Sequence, residues 1–175
     1  MFAGRWFTIV AAAASLAAGF FITLWLTEPD TTDPVNAAAN LDPIERLTRS
    51  QVYDNASLVS AARAAKLVPV DTVRGHIDEI SRLPDGQVRV AGWAANPFGD
   101  GTPLTVIAFA GGRGTLLGTT DGPREDVTKA LGLSAAAAKN VKIAGLVQCE
   151  RREAIVVVAI DKDGAYASIK FDNCP

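Results

Sequence analysis

The chain has 175 residues, with 17 basic and 19 acidic side chains and a formal net charge of -2. This balance excludes a nucleic-acid partner, because binding to phosphates requires clustered Lys and Arg, and the basic residues here are scattered among acidic ones. After a short N-terminal segment, the length leaves room for one domain of ordinary size.

The first predicted element is a membrane-spanning helix over residues 6–26, a run without charged side chains. At ~1.5 Å per helical residue the run spans roughly 31 Å, close to the thickness of the hydrocarbon core of a bilayer. Trp6 and Trp25 stand near its ends, where aromatic rings favour the headgroup regions. Arg5 precedes the run and acidic residues follow it, which predicts a cytoplasmic N-terminus and an exported domain.

A cleaved signal peptide is the competing interpretation, because small residues suited to cleavage occur at 17–19 and at 37–39. Either processing outcome exports the domain. Within the apolar run, Ala11, Ser15 and Gly19 recur every four residues and would let a second helix approach closely. The alternative explanation of this stripe is alanine richness alone.

Residues 27–40 combine prolines with small polar residues, which predicts a linker. The sequence Asp-Pro-Ile-Glu at 42–45 is typical of a helix start, and a second helical stretch begins at Asp54 or Asn55. We interpret residues 41–68 as a short helical stalk. Disorder is the alternative, because the apolar face of the segment is mostly alanine.

Residues 70–175 are predicted to form an all-β domain, an antiparallel sandwich of about seven strands with one short inserted helix. The helix is expected to begin at Pro123 and to end at Gly132. The sixth strand lacks polar alternation and is predicted to be covered on both faces. The strands are expected at residues 73–83, 87–94, 104–110, 115–120, 141–148, 154–161 and 165–171.

Three further residues are expected to stabilise this domain. Trp93 is predicted to lie in the core, where burial of an aromatic side chain contributes roughly 1.5 to 3 kcal/mol. Cys149 and Cys174 both lie in the exported part, and an oxidising compartment allows a disulfide between them to persist. Two free thiols are the alternative.

Four short motifs occur in a distinctive order: Gly-His-Ile-Asp at 75–78, Val-Ala-Gly-Trp-Ala at 90–94, Pro-Leu-Thr-Val at 103–106, and Pro-Arg-Glu-Asp-Val at 123–127. Together they resemble the bacterial Gly-Trp-Ala β-sandwich module, which is found appended to glycosyltransferases and other envelope proteins. The resemblance covers about residues 73–165 and implies a bacterial envelope location. The family has no established ligand to transfer, and its association with glycosyltransferases points toward glycans. The family usually continues to a Gly-Phe pair, where this chain offers Gly-Leu at 145–146. No glycosyltransferase catalytic domain accompanies the motifs.

Asn96, Phe98 and Asp100 form a candidate binding loop, rich in Asn, Gly and Pro, in which Phe98 could stack on a sugar ring or a partner. An ordinary connecting loop with an inward Phe98 is the alternative. Arg124 and Asp126 are expected to form a structural charge pair, and binding of an anionic ligand by Arg124 is the alternative.

The sequence predicts no metal site, cofactor or catalytic residue. His76 is the one histidine and has no suitable ligands near it in sequence. The sequence Asp-Lys-Asp-Gly at 161–164 is interpreted as a hairpin turn, because a calcium loop needs further oxygen ligands and a distant Glu. Asp78 and Glu79 are expected on opposite faces of a strand, so they cannot act by themselves as a glycosidase pair.

These features predict a non-catalytic binding or assembly module held by a single helix in the bacterial cytoplasmic membrane. Its domain would lie in the periplasm or outside the cell. Its expected partners are the lipid bilayer and an envelope protein or glycan. The alternative is a cell-wall or carbohydrate-acting enzyme whose carboxylates are brought together by the fold.

Overall fold

The computed structural model describes residues 41–175, and within that range the chain forms three helices and eight strands. The seven predicted strands are confirmed, and a two-residue strand that the sequence did not indicate precedes them. The predicted inserted helix is also confirmed. The elements are α1 (Pro43–Thr48), α2 (Asn55–Ala64), β1 (Val68–Pro69), β2 (Arg74–Arg82), β3 (Gln87–Ala95), β4 (Thr105–Ala110), β5 (Arg113–Thr119), α3 (Glu125–Leu131), β6 (Lys142–Gln148), β7 (Ala154–Ile160) and β8 (Ala165–Asn173).

The described strands form two sheets that pack face to face. One sheet has five strands in the order β1-β8-β7-β4-β5, and the other has three in the order β2-β3-β6. Neighbouring strands are antiparallel, except that β1 pairs with β8 in parallel. The sheets approach closely at Gly75 beside Ile169 and at Gly145 beside Leu117, where an added Cβ would lie 2.8 Å from the facing side chain. The architecture is therefore a predominantly β two-sheet sandwich, as predicted.

Alternate residues of the strands fill the space between the two sheets. Val88 and Val90 of β3 are fully buried there, together with Ala108 of β4 and Val157 of β7. This follows from strand geometry, since every second side chain of a strand points to the same face. Each buried valine contributes at least roughly 1.5 kcal/mol of hydrophobic stabilisation by surface area, so this layer is the main core of the domain.

A second apolar layer covers the outer face of the five-stranded sheet. Leu47 of α1 and Leu58 of α2 are both at most 1% exposed and pack in one cluster with Phe109 and Val158. Strand β7 consequently has Val157 facing the other sheet and Val158 facing the helices. The prediction of a strand covered on both faces is confirmed.

The helices of residues 41–68 thus do not extend away as a stalk. They are integral to the compact unit of residues 41–175, because the outer face of β4 and β7 is apolar and would otherwise be exposed to water. Both begin with a side-chain cap. Asp42 Oδ1 accepts from Ile44 N at 3.2 Å, and Asp54 Oδ1 accepts from Ser57 N at 2.8 Å.

Trp93 lies outside the layer between the sheets. It is half-buried and packs against a third cluster that includes Ala95, Val127 and Val141. Since Val127 belongs to α3, Trp93 helps to hold this helix on the outer face of the three-stranded sheet. The expectation of a core residue holds only in this restricted sense.

Cys149 and Cys174 form a disulfide, with their Cα atoms 6.2 Å apart, and both are buried beside the main core. Arg82 reinforces the same region by donating to three main-chain oxygens. Its guanidinium lies 2.9 Å from the carbonyl oxygen of Cys149, 2.9 Å from that of Gly86 and 3.0 Å from that of Pro175. The segment that follows β8 is therefore held by a covalent bond and by hydrogen bonds.

In residues 41–175, no helix has the length and apolar character needed to cross a membrane. The predicted anchor at 6–26, its stripe of Ala11, Ser15 and Gly19, and the predicted linker at 27–40 all lie outside the described residues.

Candidate functional site

The loop between β3 and β4 is fixed by its own short polar side chains. Asn96 Oδ1 accepts a hydrogen bond from Phe98 N at 3.1 Å, and Asp100 Oδ1 accepts from Thr102 N at 3.0 Å. Gly101 has a positive φ of 84°, and an added Cβ there would lie 2.1 Å from the carbonyl oxygen of Ala136. Asn and Asp close such local turns because their side chains reach the main-chain N–H two residues later. The loop therefore presents its remaining side chains in a defined arrangement.

Phe98 points away from the protein and is 84% exposed, more than any other large hydrophobic residue in the described part of the chain. The sequence alternative, an ordinary loop with an inward Phe, is wrong. A single exposed aromatic ring is unremarkable by itself. Its position beside a concave surface makes it a candidate contact residue.

The turn between β7 and β8 faces this loop. Asp161 Oδ1 accepts hydrogen bonds from Asp163 N and Ala165 N, both at 2.9 Å, which confirms the hairpin interpretation of residues 161–164. Lys162 reaches across from this turn, and its Nζ lies 2.7 Å from Asp100 Oδ2. The loop and the turn are therefore joined by an ion pair.

Between the loop and the turn lies an open depression of about 250 Å³, which we call the Phe98 cavity. It contains all three residues of the candidate binding loop. The turn residues and Leu104 were not anticipated as site residues, because the sequence signal at 161–164 is explained fully by a hairpin turn. The cavity is lined by Asn96, Phe98, Gly99, Asp100, Thr102, Leu104, Asp161, Lys162 and Asp163.

The charges of the Phe98 cavity favour acceptance of hydrogen bonds. The hydrogen bond from Lys162, followed by those from Thr102, holds the pKa of Asp100 well below its usual range. Asp100 in turn raises the pKa of Lys162. Both groups are therefore charged at neutral pH. With Asp161 and Asp163 the lining carries three carboxylates and one ammonium, and this net negative charge favours ligands rich in hydroxyl or amide donors.

Arg124 and Asp126 are brought together at a different place, the start of α3. Arg124 Nε and Nη2 donate to the two carboxylate oxygens of Asp126 at 2.9 Å and 2.6 Å, and Nη1 donates to Asp78 Oδ2 at 2.7 Å. The hydrogen bond from Arg124 lowers the pKa of Asp126 to about 2. The hydrogen bonds that Arg124 donates to Asp126, and then to Asp78, raise the pKa of Arg124. Because two carboxylates already occupy its guanidinium, Arg124 serves as a clamp between β2 and α3.

A β-bulge explains how Asp78 reaches Arg124. The register of β2 against β3 shifts between Ile77 and Glu79, which leaves Asp78 as the extra residue. The bulge interrupts the regular alternation from which Asp78 and Glu79 were expected on opposite faces. It also brings the motifs at 75–78 and 123–127 into contact.

His76 is exposed on β2, directly opposite Trp93 in the strand register. Among residues 41–175 no group of three His, Cys, Asp or Glu side chains is arranged to hold a metal ion. The Phe98 cavity, where an exposed aromatic ring lies beside charged side chains, is the candidate site that the described residues offer.

Comparisons with family models, curated proteins and solved structures find no match to this chain. The two-sheet fold defines the class, a β-sandwich domain with helices packed on its larger sheet. Likeness to the Gly-Trp-Ala module rests on the motifs alone.

Proposed function

We propose that this chain is a non-catalytic, membrane-anchored binding module of the bacterial cell envelope that holds a glycan in the Phe98 cavity. The observation that carries this proposal is the 84% exposed ring of Phe98 at the edge of a concave, acidic surface. The ring face is apolar, and the neighbouring side chains are hydrogen-bonding groups. A sugar has the matching features, a flat apolar ring face surrounded by hydroxyl groups.

The rigidity of the loop supports binding at this place. Asn96 and Asp100 each use one side-chain oxygen to close the loop, so the main chain that carries Phe98 is held in place before a ligand arrives. A preformed site loses less conformational entropy on binding than a flexible one. The Lys162–Asp100 ion pair adds a further constraint, because it ties the loop to the hairpin on the other side of the cavity.

The electrostatics favour binding over catalysis. A glycosidase needs one carboxylic acid with a raised pKa as proton donor and a second carboxylate opposite it. Asp100 has its pKa lowered by Lys162, and Asp161 accepts main-chain hydrogen bonds within its own turn. We therefore place the carbohydrate-acting enzyme second. A binding module needs only the stacking ring and fixed acceptors.

The envelope location rests on the apolar run at 6–26 and on the motif resemblance, and the disulfide of Cys149 and Cys174 agrees with an oxidising compartment. Carbonate extraction of native membranes, with N-terminal sequencing of the mature protein, tests the anchor. We expect the chain to stay in the membrane fraction with residues 6–26 intact. A soluble chain that begins near Asn40 would contradict this expectation.

A glycan array tests the binding function directly, with the full chain in a detergent that has no sugar headgroup. We expect binding to a restricted set of glycans and a loss of about 5- to 150-fold in Phe98→Ala, if stacking of a sugar on the ring contributes as much as stacking of a nucleic-acid base, roughly 1 to 3 kcal/mol. Leu116→Ala is the matched control, because Leu116 is also exposed, at 54%, but lies on β5 away from the cavity.

Three results separate this proposal from its competitors. Equal binding by Phe98→Ala and wild type would remove the Phe98 cavity as the site. If no glycan binds but a crosslinker placed at position 98 captures an envelope protein, the partner is a protein. Release of a reducing sugar from a bound glycan would instead indicate the enzyme.

A further inference from the structure

A second depression adjoins the hairpin turn that also lines the Phe98 cavity. We call it the α1 cavity, and its volume is about 360 Å³. It shares the turn residues Asp161, Lys162 and Asp163 with the Phe98 cavity. Its remaining lining comes from the start of α1, the end of α2 and neighbouring strand and turn positions: Asp42, Pro43, Ile44, Lys66, Leu67, Thr105 and Gly164.

The shared turn makes the two depressions consecutive parts of one surface. The Phe98 cavity, at about 250 Å³, lies below the roughly 300 to 1,000 Å³ of usual small-molecule pockets, and the α1 cavity, at about 360 Å³, lies near the lower end of that range. An elongated ligand that crosses the turn at residues 161–163 would use both. The strand register explains why they adjoin: Thr105 pairs with Ile160, so the loop before β4 and the turn after β7 leave the sheet at the same end.

The lining of both depressions has the same chemical character. Each combines apolar groups, Phe98 and Leu104 in one and Pro43 and Ile44 in the other, with carboxylates that accept hydrogen bonds. The charged residues of the α1 cavity are three aspartates and two lysines, so it is net acidic, as the Phe98 cavity is. Acidic polysaccharides are disfavoured by this charge. A neutral chain that offers hydroxyls, amide N–H groups and small apolar groups fits both parts.

Lys66 occupies an unusual backbone position in the α1 cavity. It follows α2 with a positive φ of 63°, the left-handed conformation that closes a helix and that normally selects glycine. The geometry is fixed by the hydrogen bond from Leu67 N to Ala62 O at 2.9 Å. Its side chain is exposed and lines the α1 cavity, so the ammonium is placed to contact a ligand there.

We infer that the two cavities form one groove that binds a linear chain of N-acetylated amino sugars, with Phe98 stacking on one sugar and Lys66 contacting a sugar further along. This inference rests on the proposed function and specifies its ligand. The Lys66 ammonium supplies three donors for ring hydroxyls and acetyl carbonyls. The apolar lining receives the acetyl methyl groups.

The test uses the full chain in a detergent without a sugar headgroup and β-1,4-linked N-acetylglucosamine oligomers of one to four sugars, titrated by calorimetry. We expect the tetramer to bind at least about tenfold more tightly than the single sugar. Lys66→Gly should weaken the tetramer by about tenfold, the loss of one charged hydrogen bond, and leave the single sugar unchanged. The melting temperature of Lys66→Gly should not fall, because glycine adopts a positive φ without strain.

Arg152→Gly is the matched control. Arg152 is the other non-glycine residue with a positive φ in the described chain, at 66°, and it lies outside both cavities. The same change of charge and backbone freedom is thus made at a distant place. We expect Arg152→Gly to bind the tetramer as wild type does.

Other outcomes would overturn the inference at identifiable steps. Equal affinity for one and four sugars would confine the ligand to the Phe98 cavity and leave the proposed function intact. Failure of every N-acetylglucosamine oligomer, while other glycans on the array bind through Phe98, would refute the sugar class. Equal weakening by Lys66→Gly and Arg152→Gly would refute the contact of Lys66. Absence of binding to any glycan would overturn the proposed function as well.

Discussion

Removal of the disulfide should be among the most destabilising changes that leave the apolar surfaces intact. Cys149 and Cys174 are 25 residues apart, and for a loop of this length the chain-entropy relation gives about 3.5 kcal/mol. Replacing both with alanine keeps the site apolar, which matters because both cysteines border the main core. We therefore expect the free energy of unfolding to fall by about 3 to 4 kcal/mol.

Urea unfolding of the full chain, followed by tryptophan fluorescence, measures this difference. If the free energy of unfolding falls by about 2 kcal/mol per molar urea, the urea concentration at the unfolding midpoint should be lower in the variant by about 2 M. Reductant should lower the midpoint of the wild type toward that of the double alanine variant and should leave the variant unchanged. The variant thus serves as its own control for side effects of the reductant.

A decrease below about 1 kcal/mol would refute the reasoning, since it would mean that the bond does not restrict the unfolded chain. Arg82 makes the result informative. Its hydrogen bonds to Cys149 O and Pro175 O hold the same segment in the folded state, so the tail should stay in place without the disulfide. The loss is therefore expected in the unfolding equilibrium, with native near-UV circular dichroism retained.

Three further predictions concern the helices and the clamp. Leu58→Ala should lower the free energy of unfolding in urea by about 2 to 5 kcal/mol, because Leu58 is 1% exposed. Val59→Ala is the control and should change stability little, because Val59 is 39% exposed. Equal effects of the two changes would show that α2 does not pack on the sheet. Asp126→Asn should destabilise the protein at neutral pH. Because the pKa of Asp126 is about 2 in the folded state against its usual 3.8, the difference in unfolding free energy between variant and wild type should shrink as the pH falls from about 4 to about 2. A difference that stays constant over this range would refute the Arg124 clamp. Trp93→Ala should cost about 2 kcal/mol, below the 3 to 5 kcal/mol of a fully buried Trp, and unchanged stability in thermal unfolding would show that Trp93 does not hold α3.

The strands could be predicted from the sequence because their pattern is local. Alternation along β3 and the uninterrupted apolar run of β7 each depend on a single segment, and the turn residues between strands limit where each can end. The disulfide could also be expected, because the chain has only two cysteines. In each case one segment or one pair of residues carried the whole signal.

The packing of the helices needed information from distant segments. Leu58 and the alanines of α2 look like a weak amphipathic face when α2 is considered alone. The apolar run at 154–160 predicted a strand covered on both faces, and only one face can be covered by the second sheet. The covering layer for the other face had to come from elsewhere in the chain, and residues 41–68 are the helical segment that supplies it. A strand covered on both faces, taken together with the one helical segment at 41–68, would have predicted helices packed on the sheet and not a stalk.

The candidate site depends on strand order. Phe98 and its loop could be singled out by composition, but the lysine that fixes Asp100 is 62 residues further along the chain. The two meet because β4 pairs with β7, with Thr105 opposite Ile160, so the residues that precede β4 and those that follow β7 emerge side by side. A sequence pattern of period two gives the faces of a strand and not its neighbours. Because the ion pair of Lys162 with Asp100 follows from this pairing, the position of the Phe98 loop beside the hairpin turn is a consequence of the fold.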